Sequence, residues 1–394
     1  MSKALREEFN ARWTPQKYQR FLRLLDDRCG TAVGFRHSET PCFFDAEFLD
    51  RLAGTGETLI RQLVLDPAYR YVSNAAVPER YNVPNEAPAP MFVQVDFGVV
   101  RDAEGVNHPR LVEIQGFPSL YAYQPELCQA YIDAYELDHR LRYFFSGLDR
   151  AEYGNLLRQA IVGSHDPQNV ILLEVYPHRQ KTLCDFLVTE KLLGVRPVCV
   201  TRVIKEGNRL FYEEKGKRIP VRRIYNRCIV DDLQRNNVQP QFDWRDDLDV
   251  EWAGHPNWYF RISKFSLPYL RHPAVPRTVF LDQTDHLPDD LDGWVLKPLY
   301  SFAGLGVSVG PSRAEIERIP AAERSNWILQ ERVRFTPVIE TPHGLTQAEI
   351  RIMYIWTDRL RPVCNIIRMG RGKMMGVDHN KNMEWVGASA ALFY

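Results

Sequence analysis

Trp294-Val-Leu-Lys-Pro-Leu-Tyr-Ser-Phe-Ala-Gly-Leu-Gly-Val-Ser-Val-Gly310 is the stretch on which the fold turns. Trp294 to Leu296 reads as a strand that delivers Lys297 and Pro298. A turn holding Ser301, Gly304 and Gly306 follows, and Val307 to Val309 reads as a second strand closed by Gly310-Pro311. Glycine lets backbone N–H groups turn toward a bound anion, and a lysine beside such a loop supplies a point charge for phosphate oxygens. The expected ligand is a nucleoside triphosphate. Two common phosphate motifs do not fit. A Walker A loop places its lysine after the glycines, and the dinucleotide fingerprint is G-x-G-x-x-G where this loop has G-x-G-x-x-x-G. The plain alternative is a hairpin with two glycines and a lysine and no ligand.

Outward from this hairpin, composition narrows the classes. At 394 residues the chain has room for two or three domains, each with its own core. A 45% hydrophobic and 25% charged composition is that of a globular protein. Fifty basic residues balance fifty acidic ones, so no overall field points to nucleic acid or to an anionic membrane, and an anion site must be local. No apolar run is long enough to span a bilayer, and the N-terminus lacks the apolar core of a signal peptide. The seven cysteines form no C-x-x-C pair, which suits reduced, buried thiols in a cytoplasmic protein better than a disulfide framework or a zinc site.

Before the hairpin, Pro15 to Asp27 and Phe44 to Leu65 carry helical periodicity. Met91 to Val100 reads as a strand, residues 101–109 as a turn, and Arg110 to Gln115 as the antiparallel partner. Alternation puts Gln94 and Asp96 on one face and Glu113 and Gln115 on one face. Carboxylates in apolar strands need a positive partner. Either Asp96 and Glu113 pair with nearby arginines, such as Arg101 or Arg110, or face water, or they hold a magnesium ion, which takes carboxylate oxygens and completes its shell with water and phosphate. A helical region from Glu126 to Phe145 and on to Ile161 comes next. Strand 169–175, helix 180–193 and strand 197–204 then make a βαβ unit, with Glu174 at the carboxyl end where open sheets place ligands. Arg227 ends a further strand and is either a carboxylate holder or a surface arginine. Residues 326–333, 348–356 and 361–368 read as strands. The basic, glycine-rich stretch 370–376 reads as a mobile loop over the site.

Together these pieces resemble the circularly permuted ATP-grasp ligases, the group of glutathionylspermidine synthetase and the eukaryotic type of glutathione synthetase, over roughly residues 90 to 394. The R-x-D and E-x-N magnesium hairpin of that group resembles Gln94-Val-Asp96 and Glu113-Ile-Gln115. Its two phosphate lysines look like Lys264 and Lys297, and its adenine linker is similar to Gln330-Glu331-Arg-Val333. Glu349 and Arg351 look like the polar pair on the next strand. The chain departs from the pattern at Gln94 for arginine, Gln115 for asparagine and Ser301 for glutamate, and it lacks the amidase domain of bifunctional relatives.

The resemblance implies an α/β (α+β), ATP-grasp-like fold of permuted order. Residues 1–165 would hold the helical region and metal hairpin, 166–255 a substrate-binding domain, and 256–394 the nucleotide lobes. It implies an ATP-dependent carboxylate–amine ligase in which the acid takes the γ-phosphoryl group of ATP and an amine displaces phosphate to form an amide. Expected roles are Lys264, Lys297, Ser301, Gly304, Gly306, Gln330, Glu331 and Val333 for ATP, Asp96, Glu113 and Gln115 for Mg²⁺, and Arg227 and Arg351 in catalysis. Expected partners are a small carboxylate and an amine, either amino acid, peptide or polyamine, with neither nucleic acid nor membrane. Phosphoryl transfer needs positioned charge and no nucleophilic side chain, which agrees with the lack of a Ser-His-Asp or Cys-His set. Two alternatives stay open: an ATP-dependent phosphotransferase, and a nucleotide-binding regulatory or scaffold protein without turnover.

Overall fold

The computed structural model describes residues 2–300, 304–380 and 382–394. Helix α1 (Pro15–Cys29) starts where Thr14 accepts the Lys17 N–H at 3.2 Å and stops at Gly30, whose φ is 70°. A hydroxyl cap, proline in the first turn and a left-handed glycine at the end fix both boundaries. Helix α2 (Ala46–Leu65) is amphipathic, and its Leu49, Leu52, Leu59, Ile60 and Leu63 are buried. Each such side chain contributes about 1.5–3 kcal/mol by leaving water.

Strands β1 (Phe92–Arg101) and β2 (Asn107–Gln115) form the expected antiparallel hairpin. The region 126–161, expected to be helical throughout, is two helices, α3 (Tyr123–Tyr135) and α4 (Arg150–Ile161). Glu136 ends α3 at φ 55°, and Asp149 and Glu152 restart the chain as a reciprocal capping box. That box, D-x-x-E, is the signal the periodicity hides. Strand β3 (Val170–Glu174), helix α5 (Leu183–Leu193) and strand β4 (Arg196–Cys199) make the βαβ unit. Strand β4 is shorter than its apolar run, because a 3₁₀ turn at Val200–Arg202 diverts the chain into a small three-stranded sheet. Strands β5 (Arg223–Asn226) and β6 (Glu251–Ala253) complete a parallel sheet of order β6-β5-β3-β4.

Strands β7 (Thr278–Phe280), β8 (Trp294–Pro298), β9 (Ser308–Val309) and β10 (Trp327–Glu331) form an antiparallel sheet of order β7-β10-β8-β9. The glycine hairpin is its β8–β9 pair, in register Val295 to Val309. Strands β11 (Gly344–Trp356), β12 (Leu360–Gly370) and β13 (Gly387–Ser389) join the early hairpin in one large sheet of order β13-β12-β11-β1-β2. Segments far apart in the chain therefore share this sheet. Its inner face, with Val93, Val95, Phe97, Ile350, Ile352 and Tyr354, packs in the same core as α2. The opposite face carries the polar residues. Among the described residues, no helix is long and apolar enough to cross a membrane.

Candidate functional site

The three larger sheets converge on a cavity of about 660 Å³. Alternation along β8 sends Val295 and Lys297 into it, while Leu296 packs behind with Leu281, Ile316 and Leu329. On β10 the same period brings Gln330 to the cavity opposite Val295. Glu331 points away and pairs with Arg110 at 3.6 Å, and Gly306 also lies off the wall. Gly304 and Val333 line the cavity, as do Lys264, Glu113, Gln115, Arg227 and Arg351. Ser301 lies outside the described residues.

A break in the β1–β2 ladder ties the two distant hairpins together. Asp96 pairs with Glu113 but Phe97 pairs with Leu111, which leaves Val112 in a bulge. A bulge frees main-chain groups and re-aims the strand. The Val112 carbonyl accepts a hydrogen bond from Lys297 Nζ at 3.1 Å. Lys297 is almost fully buried, and burial, partly opposed by Glu113, pulls its amine down to about 8. Lys264 lies 3.4 Å from Glu113. Gly116 donates its N–H to Ile262 O at 2.7 Å and fixes the Lys264 segment beside the end of β2.

On the polar face of the large sheet, Asp96 is 1% exposed and both of its oxygens are occupied. Arg351 binds them through Nε at 2.6 Å and Nη2 at 2.7 Å, and Arg368 adds a further contact while also bridging Glu349. Burial raises the Asp96 carboxyl, but Arg351 and Arg368 outweigh it and hold the group below its usual range. Both Asp96 oxygens thus accept from guanidinium groups, and a magnesium ion there would have to share or displace these contacts. The partners of Asp96 are neither Arg101 nor Arg110, which bond Asn107 and the Pro273 carbonyl. Arg351, expected in catalysis, spends three donors here, the third going to Gln94 Oε1 at 2.9 Å. Gln94 also donates to Ser119 O at 2.7 Å, so it is a strut between the sheet and the loop that follows β2.

Magnesium still fits a smaller donor set. Glu113 and Gln115 share one face and both line the cavity, giving a carboxylate and an amide oxygen, enough for an ion that takes its remaining ligands from water and phosphate. Among the described residues no three His, Cys, Asp or Glu side chains cluster as a metal site.

The parallel sheet supplies the other wall through its carboxyl ends. Arg227 is 3% exposed, lies over the Phe117 and Phe186 rings at 5.1 and 5.4 Å, and leaves Nε and Nη1 without a hydrogen-bond partner among the described residues. Buried donors of this kind need an acceptor from outside the chain. Glu174, beside it, is raised to about 8 by burial, with Arg227 acting the other way. Asp185 accepts N–H groups from Leu120, Ala122 and Tyr123 at 2.9 to 3.2 Å and so anchors the start of α3 and the loop before it. Gln330 Nε2 is likewise a buried donor without a partner among the described residues. Glu174, expected at the ligand end of its sheet, and Glu349, expected as one of a polar pair, also line the cavity, as do Arg368 and Lys373, to which the sequence alone gives no individual role. Glu174 ends a sheet strand, and that position was the available signal.

No family model matches the chain, and no curated protein matches its sequence. Among solved structures it is similar to a glutathione synthetase-like effector from Globodera pallida in its apo form, at 11% identity and a TM-score of 0.59. The match covers 97% of this chain and 98% of that one. Lysines of two separate segments meeting a carboxylate hairpin between three sheets, together with end-to-end similarity of the backbone, give the chain the mixed α/β, ATP-grasp fold of eukaryotic-type glutathione synthetases.

Proposed function

We propose that the chain is an ATP-dependent carboxylate–amine ligase. The observation that carries this reading is the meeting of Lys297 with the β2 bulge, which sets a buried amine, suited to phosphate, beside Glu113. Lys264 and Lys297 would neutralise the phosphates, backbone N–H groups near Gly304 would cradle them, and Gln330 would use its unpartnered amide on the base, with Val295 and Val333 as apolar walls. Glu113 and Gln115 would hold Mg²⁺, which when bound supplies charge neutralisation for phosphoryl transfer. Arg227 would take a carboxylate of the acid substrate through an N–H that has no partner among the described residues. The acid carboxylate takes the γ-phosphoryl group and releases ADP. The amine then displaces phosphate and gives the amide.

A second reading, a nucleotide-binding protein without turnover, is favoured by the mutual pairing of Asp96, Arg351 and Gln94, the last standing where the resembled pattern has an arginine. The solved protein it resembles is described as an effector. ADP release measured against pooled amino acids, short peptides and polyamines separates the two. Release that requires both an acid and an amine, with an amide product, supports the ligase. ADP formed with acid alone and no amide under any mixture would remove it, a stable phosphorylated product would indicate a phosphotransferase, and tight ATP binding without hydrolysis would leave the binding protein.

A further inference from the structure

The N-terminal segment 33–39 reaches the cavity, although nothing in its sequence marks it as part of the site. His37 bridges Ala388 of β13 in parallel, with the Ala388 N–H bonding Arg36 O and the Ser38 N–H bonding Ala388 O, both at 2.9 Å. Gly387 permits this approach: its φ is 120°, and a Cβ there would lie 2.7 Å from Arg36 O. Arg36 ties the segment further by donating to Met383 O at 2.9 Å and to Glu39 Oε1 at 2.6 Å. One residue before Phe35, Gly34 passes the turn into α5, where its Cβ would stand 3.4 Å from Lys181 O. The chain on both sides of Phe35 is thus placed.

The Phe35 side chain is placed too. It is partly buried and lines the cavity. Its ring makes a T-shaped contact with Tyr123 at 5.6 Å and lies 5.1 Å from the His37 ring, while the Tyr123 hydroxyl is hydrogen-bonded to His37 Nε2. Leu120 and Ala388 add apolar wall. Leu120 has a φ of 64°, a conformation that strains a leucine and persists where the surroundings over-determine it, as they do at ligand clamps. Here Asp185 holds it, by accepting the N–H groups of Leu120, Ala122 and Tyr123. The next residue, Phe186, lies against the Arg227 guanidinium. The first turn of α5 therefore sets both the apolar wall and the cation.

We propose that Phe35 is a specificity-determining residue: with Leu120 and Ala388 it forms an apolar subsite for the side chain beside the carboxylate that Arg227 holds. The acid is then an amino acid or short peptide with a non-polar side chain at that position. An apolar side chain gains by leaving water against this wall, whereas an amide loses its hydrogen bonds there. The inference rests on the ligase reading above and narrows the class of its acid.

The test uses two dipeptides of nearly equal size, glycyl-leucine and glycyl-asparagine, titrated into the full chain by ligand-observed NMR. The parent is expected to prefer the leucyl peptide by roughly tenfold, and Phe35→Ala to cut that preference to about twofold, chiefly by binding the leucyl peptide more weakly. Phe35→His keeps a flat ring against Tyr123 but brings polar nitrogens to the wall, so it should cut the preference as well and replaces Phe35→Ala should that variant not fold. Arg227→Met should weaken both peptides alike. A parent that binds neither peptide, or that shows no preference, would overturn the proposal, and so would a preference unchanged in the folded Phe35 variants. ADP release that still required an acid and an amine would leave the ligase reading standing in each of those cases. Peptides that bind Arg227→Met as they bind the parent would remove the carboxylate site, and the proposal with it.

Discussion

Asp96 and Arg351 sit directly opposite one another on adjacent antiparallel strands, and the guanidinium of Arg351 grips both carboxylate oxygens at 2.6 and 2.7 Å. With Arg368 on the other side, two cations and Glu349 make a buried ionic floor beneath the cavity. Removing one partner of such a set strands the others, at a cost of about 3–5 kcal/mol. Asp96→Ala is therefore expected to lower the urea midpoint sharply. The Asp96 carboxyl lies below its ordinary range, so its contribution is present above the unfolded value near pH 4 and is lost as pH falls through the lower folded value. A variant with parental stability that lost only magnesium dependence would return Asp96 to the role of a metal ligand.

Lys297 gives a pH dependence of the opposite kind. Burial leaves its amine at about 8, and phosphate requires the charged form. ATP affinity should hold steady to about pH 7.5 and then weaken toward about tenfold per unit as the free amine loses its proton, with proton uptake on binding. Calorimetry in buffers of different ionisation enthalpy reads that uptake. Lys297→Met should bind weakly and without this dependence. Constant affinity up to pH 9.5 would mean that the amine does not touch the nucleotide.

Glu174 links stability to pH. Its folded value of about 8 lies above the unfolded 4.5, so the folded chain binds more protons between them and stability falls as pH rises through that window. The loss is on the order of a few kcal/mol for a group this buried. Glu174→Gln cannot ionise and should flatten the slope of melting temperature between pH 5 and 8. An equal slope in both proteins would place the burden on other groups.

Much of this site is legible in sequence, and the unread part has a common cause. Strand period alone puts Glu113 with Gln115 and Val295 with Lys297, since neighbours two apart share a face. Arg351 and Arg368 could not be assigned to Asp96, because cross-strand register joins residues more than 250 positions apart and no local pattern records it. The choice between Gln330 and Glu331 depended on which face of β10 meets the cavity, fixed only by its pairing with β8. The bulge at Val112 is invisible for the same reason: it is a property of two strands, not one.

Gly116 tests whether that register matters to function. Its N–H bonds Ile262 O at 2.7 Å, and a Cβ there would lie 2.5 Å from the Trp258 carbonyl oxygen and 3.1 Å from Ile262 Cβ. The obstacle is backbone, so Gly116→Ala must move the Lys264 segment away from the strand that carries Glu113 and Gln115. Overpacking of this kind costs about 1–3 kcal/mol, and a displacement of even part of an ångström separates a lysine from its phosphate. Gly116→Ala is expected to lose ATP affinity by roughly tenfold or more as well as stability. Gly105→Ala, in the open turn of the same hairpin at φ 84°, is the control: it costs about 1 kcal/mol of backbone strain with no neighbour within 4 Å. If both variants lose stability but only Gly116→Ala loses nucleotide, the spacing between the end of β2 and Lys264 is what builds the site. If the two bind ATP alike, the lysine and the hairpin act independently.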